Sequence, residues 1–410
     1  MRARTSAAVS KIKSKEWIIF GCAVVLIIFV IAVIENARHV PVRSYYYKND
    51  IENSHYSRCV LENLDGRYVG SSLPRWAALL RMAAHGAGKQ VVFRTTFTGG
   101  LGEQMNSLLA ALMFAVGTGR KFVVEGGHLN QFFRDPAEAY GHGFRVFGKR
   151  EASNETHHIS QSEAAEMRIA TESLDAMFPQ QTLVFEAPYA DPAAVFENVG
   201  LNAVLVTAFE GGSHFIDVAD QVFPWLFSNP TSRTASYICN IWRTSGAARA
   251  LNVIGMQLRT HKPGGIGNYL DENGSEYWPV ARKYLKWAGA QLGAIPQTLG
   301  VFVSIDAKNV EKAVAENIGD IGTLHFDYRT TNYYFSFQNS APLFHWLLLG
   351  SLDYAVCSAE PFCYTARALR KGGLFRTRFA DPRHLNMYGT PAWGADFGDI
   401  VRPDLEKYNL

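Results

Sequence analysis

The chain has 410 residues, of which 48% are hydrophobic, 19% charged and 13% aromatic, and its formal net charge is +3. This length exceeds one ordinary core and points to two domains, while the globular composition excludes a disordered or fibrous chain. So small a net charge argues against nucleic acid as a partner, and no internal repeat or long low-complexity tract is present.

The N-terminus stands apart. Arg2, Arg4, Lys11, Lys13 and Lys15 precede an 18-residue stretch without a charge, Trp17 to Ile34, which Glu35 ends. As a helix it spans about 27 Å, which suits the thinner bilayers of the early secretory pathway. The basic residues lie before the span, so the expectation is a cytosolic tail over 1–16, a single-pass signal anchor over 17–34 and a lumenal remainder. A cleaved signal peptide has a shorter apolar region and a small-x-small cleavage site, and "IAVIENARHV" is a poor one. Asn154-Glu-Thr156 and Asn273-Gly-Ser275 fit the glycosylation acceptor pattern. Cys22 lies in the span; Cys59, Cys239, Cys357 and Cys363 remain, an even number suited to an oxidising compartment, with three pairings open. No Cys/His group has metal-ligand spacing, so no metal site is expected.

Residues 35–88 read as a polar stem followed by a lead-in helix, "PRWAALLRMAAHGAG". Then "QVVFRTTF" predicts a strand and "EQMNSLLAALMFAVGTG" a helix, with Met105, Leu108, Leu109, Leu112 and Val116 on its buried face. "KFVVE" returns as a strand and completes a β-α-β unit. Within an N-terminal α/β domain over 89–245, "EAAEMRIATESLDAMF" and "FIDVADQVFPWLF" predict helices, and "QTLVFEA" and "AVLVTAF" predict strands. From 250 to 380 strands ("LNVIGMQLR", "TLGVFVSI", "GTLHFD", "DYAVCS") alternate with helices ("YWPVARKYLKWAGAQLG", "KNVEKAVAENIG", "SAPLFHWLLLGSL", "PFCYTARALRKGG"). This is the rhythm of a doubly wound parallel sheet. Residues 381–410 form a C-terminal extension.

Candidate chemistry gathers at predicted strand ends, where open α/β sheets bind ligands. Gly99, Gly100 and Gly102 link the first strand to its helix, followed by Glu103 and Gln104; the loop serves either a tight turn or an anion at the helix N-terminus. Arg259 ends "VIGMQLR" and can present its guanidinium bidentately to a diphosphate, with Thr260, His261, Lys262 and three glycines forming a cationic turn beyond it. Ser304 and Asp306 end another strand, and Asp306 either caps the next helix or orients a ligand. Ser358 precedes the last helix, and Phe362 and Tyr364 pack either a nucleotide base or the core. No Asp-x-Asp metal motif occurs, so a leaving diphosphate would depend on cationic side chains and helix N-termini.

"GGLGEQMNSLLAALMFAVGTGRKFVV", "FFRDP", "IGMQLRT" and "CSAEPFCYTARALRKGG" occur in the order seen in the fucosyltransferase superfamily, and the set is most similar to the plant xyloglucan-type branch. The resemblance covers about residues 90–380. It implies a GT-B fold with two Rossmann-like domains facing a cleft, and a Golgi enzyme that inverts at the anomeric carbon without a metal. The implied donor is GDP-fucose, the partner a glycan acceptor, and no further cofactor is needed. By the resemblance Arg259 grips the GDP diphosphate, Gly100 and Gly102 belong to the first donor loop, and Ser358, Phe362 and Tyr364 to the last donor segment. Glu103 stands where the family usually has Asn, Gln257 where several branches have His, and Glu360-Pro361 where Ser-Thr is usual. No general base is assigned; Glu103, Asp306 and Glu360 are the candidates. Another nucleotide-sugar donor, or a non-catalytic glycan-binding protein on the same fold, are the alternatives, and a homo-oligomer is compatible with the sequence.

Overall fold

A computed structural model describes residues 73–85, 88–95, 100–125, 129–137, 144–170, 173–186, 190–212, 214–227, 229–258, 269–305, 310–327, 340–358, 361–370, 373 and 376–379. For 161, 165, 168, 169 and 269–276 only the backbone is described. The expected tail, anchor and stem to residue 72, and the C-terminal extension, lie outside these residues.

Helix α1 (Arg75–Ala84) leads into β1 (Gln90–Arg94), α2 (Leu101–Thr118) and β2 (Lys121–Glu125). Then come α3 (Leu129–Phe132), β3 (Thr156–Ile159), α4 (Gln161–Ile169), α5 (Leu174–Met177) and β4 (Thr182–Glu186). Four helices follow: α6 (Pro192–Glu197), α7 (Val199–Ala208), α8 (Phe215–Phe227) and α9 (Ser232–Thr244). The rest alternates as β5 (Asn252–Leu258), α10 (Tyr269–Gln291), β6 (Leu299–Ile305), α11 (Glu311–Ile318) and β7 (Thr323–Phe326). It closes with α12 (Ala341–Ser351), β8 (Ala355–Cys357), α13 (Pro361–Arg367) and β9 (Thr377–Phe379). The strands form two sheets of order β2-β1-β4-β3 and β7-β6-β5-β8-β9. Every pairing in both is parallel.

Helix α2 is apolar on nearly every side, and it is buried on nearly every side: of Leu101–Val116 only Glu103 is not buried. Such a helix belongs inside a core. It ends at Gly119, whose left-handed backbone (φ 66°) closes the last turn through an N–H bond to the Ala115 carbonyl. One continuous apolar core joins the inner face of the first sheet (Val91, Phe93, Leu183) through α2 and α8 to α12 and α13. Phe227 of α8 meets Trp346 of α12 edge-on, with ring centroids 5.3 Å apart. A second core fills the space between α10 and α11 and the other face of the second sheet, around Met256, Tyr284, Leu285 and Val301.

Two segments depart from the sequence reading. "AVLVTAF", expected as a strand, lies in helix α7 apart from its last residue. The Asn198 side chain caps it, accepting from the Gly200 N–H at 3.0 Å while donating to the carbonyls of Met167 and Ala170. Leu201, Leu205 and Ala208 then fall on one buried face. Packing and the cap override the β-branched composition, as tertiary context often does. The single helix expected over "EAAEMRIATESLDAMF" is two, α4 and α5. Strand β9 carries no sequence signal of its own and is held in place by Arg367. This buried guanidinium donates to the carbonyls of Leu352 (2.7 Å), Asp353 (3.0 Å) and Gly373 (3.2 Å) and to Thr377 Oγ1 (2.8 Å). Burial pushes its pKa down to about 10 despite the favourable charge of Asp353.

The two halves meet where α2 begins. A Cβ on Gly102 would lie 2.1 Å from the Phe362 nitrogen and 2.4 Å from the Pro361 carbonyl carbon. The requirement for glycine there is set by the backbone of α13, which cannot step aside as a flexible side chain can. Gly102→Ala is therefore expected to destabilise the fold by at least about 1–3 kcal/mol, the range for overpacking. Urea unfolding of the two proteins checks this; an unchanged midpoint would mean that α13 does not seat against α2.

Candidate functional site between two sheet edges

Because all strands in each sheet are parallel, each sheet has one carboxyl edge. Helix α2 starts just beyond the carboxyl end of β1, and α13 starts just beyond that of β8. Their first turns meet at Gly102, which brings together the carboxyl ends of β1 and β8, the kind of place where α/β sheets hold ligands.

The first edge is ionic. Arg94, Glu125 and Glu186 are the last residues of three adjacent strands, and Arg94 is in register with both acids. Arg94 donates from Nη2 to Glu125 Oε2 at 2.6 Å and from Nη1 to Glu186 Oε1 at 3.2 Å. The Arg150 backbone N–H donates to Glu125 Oε1 at 3.4 Å, and His158 Nδ1 lies 3.2 Å from Glu186 Oε1. Burial alone would raise the Glu125 carboxyl, but the hydrogen bonds and charges of Arg94 and Arg150 together hold it below its usual range. The Glu125 hydrogen bond in turn raises the Arg94 guanidinium. The sequence reading missed this cluster. Its signal is a charged residue closing each of "QVVFR", "KFVVE" and "TLVFE".

The second edge is polar and buried. Ser304 ends β6 but for one residue, and its hydroxyl lies 2.9 Å from His345 Nδ1. His345 Nε2 lies 3.1 Å from an Asp327 carboxylate oxygen, just past the end of β7. All three are buried. The chain Ser304–His345–Asp327 fastens the ends of β6 and β7 to α12, so Ser304, expected at the donor, has its hydroxyl against His345. Asp327 and His345 were not expected at all. Ser358 is also buried and donates its N–H to the Gln257 carbonyl at 3.0 Å. That bond ties the segment before α13 to the penultimate residue of β5. Across the same segment Cys357 and Cys363 form a disulfide, with Cα atoms 6.2 Å apart; Cys239 is disulfide-bonded as well.

The remaining candidates sit as follows. Gly100 caps α2, and its N–H donates to a Glu103 carboxylate oxygen. Glu103 thus turns back onto its own helix terminus, where an acid is stabilised by the helix dipole. Gln104 is fully buried. Phe362 and Tyr364 belong to the core; the Tyr364 hydroxyl donates to Asn106 Oδ1, and burial pushes its pKa up. Those side chains join the halves rather than line an open site. Arg259, Thr260, His261, Asp306 and Glu360 lie outside the described residues. Asn154 is exposed ahead of β3, whereas Asn273 is within α10. Among the described residues no group of His, Cys, Asp and Glu is placed to hold a metal, and no helix is long and apolar enough to cross a membrane.

No family model matches the chain, and no curated protein does. Among solved structures it is similar to an Arabidopsis thaliana FUT1 mutant in complex with GDP, at 15% identity over 78% of each chain, with a TM-score of 0.47. It is also similar to POFUT1 in complex with GDP-fucose, at 12% identity over 72% of this chain and 99% of that one, with a TM-score of 0.40. These likenesses are distant, and the functional reading rests on this chain's own residues.

The Glu125 shift has a consequence for stability. Its folded pKa is depressed, so its stabilisation is present above the unfolded pKa and is lost as pH falls through the folded one. The expected result is a urea midpoint that drops as pH falls from about 5 to about 3, and drops less steeply in Glu125→Gln. Equal slopes in the two proteins would show that the carboxylate is not held by Arg94.

Proposed function

We propose that the chain is a glycosyltransferase that moves fucose from GDP-fucose to a hydroxyl of a glycan acceptor, with inversion and without a metal ion. The two-sheet fold is read as GT-B, with a donor half over 250–380 and an acceptor half over 89–245. One observation carries the reading: the backbone of α13 seats on Gly102. The two segments that resemble the donor loops of fucosyltransferases, more than 250 residues apart in the chain, thereby stand side by side. A diphosphate there would be gripped by Arg259, whose strand is held by the Ser358–Gln257 hydrogen bond, and by backbone N–H groups of the two loops. Glu103 does not repel it in the way an unpaired acid would, because its charge is directed at the Gly100 N–H.

The same proposal places the protein as a type II single-pass protein of the Golgi membrane, with the described residues in the lumen. The basic residues before the 17–34 span, the Cys357–Cys363 disulfide and the exposed Asn154 triplet support that side of the membrane.

The test uses the full chain in detergent with GDP-fucose, GDP-mannose and UDP-sugars over a glycan array, with and without EDTA. Transfer from GDP-fucose alone, unchanged by EDTA, is the expected result; transfer from another donor would overturn the fucose assignment. Arg259→Ala is expected to lower turnover by about 10²–10³-fold, as removal of one transition-state donor does. A fold that binds glycans yet transfers nothing from any donor would place the chain among non-catalytic proteins.

A further inference from the structure

The ionic edge of the first sheet holds one carboxylate that is only half occupied. Both Glu125 oxygens are engaged, Oε2 by Arg94 and Oε1 by the Arg150 N–H. Glu186 differs. Its Oε1 faces both Arg94 Nη1 and His158 Nδ1, each at 3.2 Å, whereas among the described residues none donates to its Oε2. The Glu186 side chain is 31% exposed. The edge therefore offers a carboxylate on a partly exposed side chain, which can accept from the hydroxyl of a sugar.

We propose that Glu186 is the proton acceptor for the attacking hydroxyl of the acceptor sugar, with Arg94 fixing its carboxylate. The inference rests on the transfer reaction proposed above. In the step, the acceptor hydroxyl oxygen bonds to the anomeric carbon of the donor sugar. The bond from that carbon to the diphosphate oxygen breaks, and GDP leaves with the electron pair. The hydroxyl proton passes to Glu186 Oε2. His158, half exposed and beside Oε1, then returns it to solvent. Arg94 holds the carboxylate by its hydrogen bond to Oε1, so the proton meets a base whose orientation is already set.

The experiment compares full-length wild type, Glu186→Gln and Glu186→Asp. GDP-fucose is the donor, the glycan array identifies the acceptor, and calorimetry gives GDP affinity. Glu186→Gln is expected to lower kcat by about 10²–10⁴-fold with the Kd for GDP unchanged, and its residual rate should no longer fall on acidification. A purely structural role would alter GDP affinity or the melting temperature and leave the pH profile in place. A Glu186→Gln rate within threefold of an active wild type overturns the inference and leaves the transferase reading standing. A wild type that neither binds GDP nor transfers sugar overturns both. If Glu186→Gln fails to fold, Glu186→Asp decides, since it keeps the charge opposite Arg94. At least a tenfold loss of kcat supports the inference, and a full rate overturns it.

Discussion

The close approach of two helix starts, α2 at Gly102 and α13 at Pro361-Phe362, is the constraint on which the rest of the molecule depends. Backbone meets backbone there, with no room for a Cβ. The contact is buttressed by the Tyr364–Asn106 hydrogen bond and by the ring of Phe215, 6.2 Å from that of Tyr364. With the helices in contact, one apolar core runs through both halves and the carboxyl ends of β1 and β8 are brought together. A side chain at 102 would part the edges and dilute any site they share.

The two edges differ in what they bring. On the second, polar and buried groups hold the loops: Ser304, His345 and Asp327 pin β6 and β7 to α12, and Ser358 pins the segment before α13 to β5. On the first, fixed charges stand at the rim and remain partly open. A rigid, loop-anchoring edge suits an anionic nucleotide whose charge must be met by prearranged donors. A rim of paired acids and bases suits a neutral, hydroxyl-rich molecule, which it can hold by hydrogen bonds. The proposed donor and acceptor halves rest on this difference.

Much of the fold is legible in the sequence because the central strands are short apolar runs set apart by long helical segments, and β1, β2 and β4 each close on a charged residue. Strands such as "QVVFR", "KFVVE" and "TLGVFVSI" fall where their patterns put them. Helix α7 escapes, since its Val-rich composition favours a strand and only the Asn198 cap and its packing make it helical. Strand β9 escapes because three residues carry no period, and a distant buried arginine holds them. Of the site, the glycine loop and Ser358 are readable as strand-end features. What Gly102 contacts is not, since its neighbour is far away in the chain. The Arg94 cluster and the Ser304–His345–Asp327 chain are likewise products of register and packing rather than of local spacing.

The most direct test of the account is hydrogen exchange of the full chain with and without GDP. Slowed exchange is expected in three segments together, residues 94–106, 257–268 and 357–364, which follow the carboxyl ends of β1, β5 and β8 in the chain. Protection confined to one half, or none at saturating GDP, would contradict a nucleotide site formed where the two edges meet.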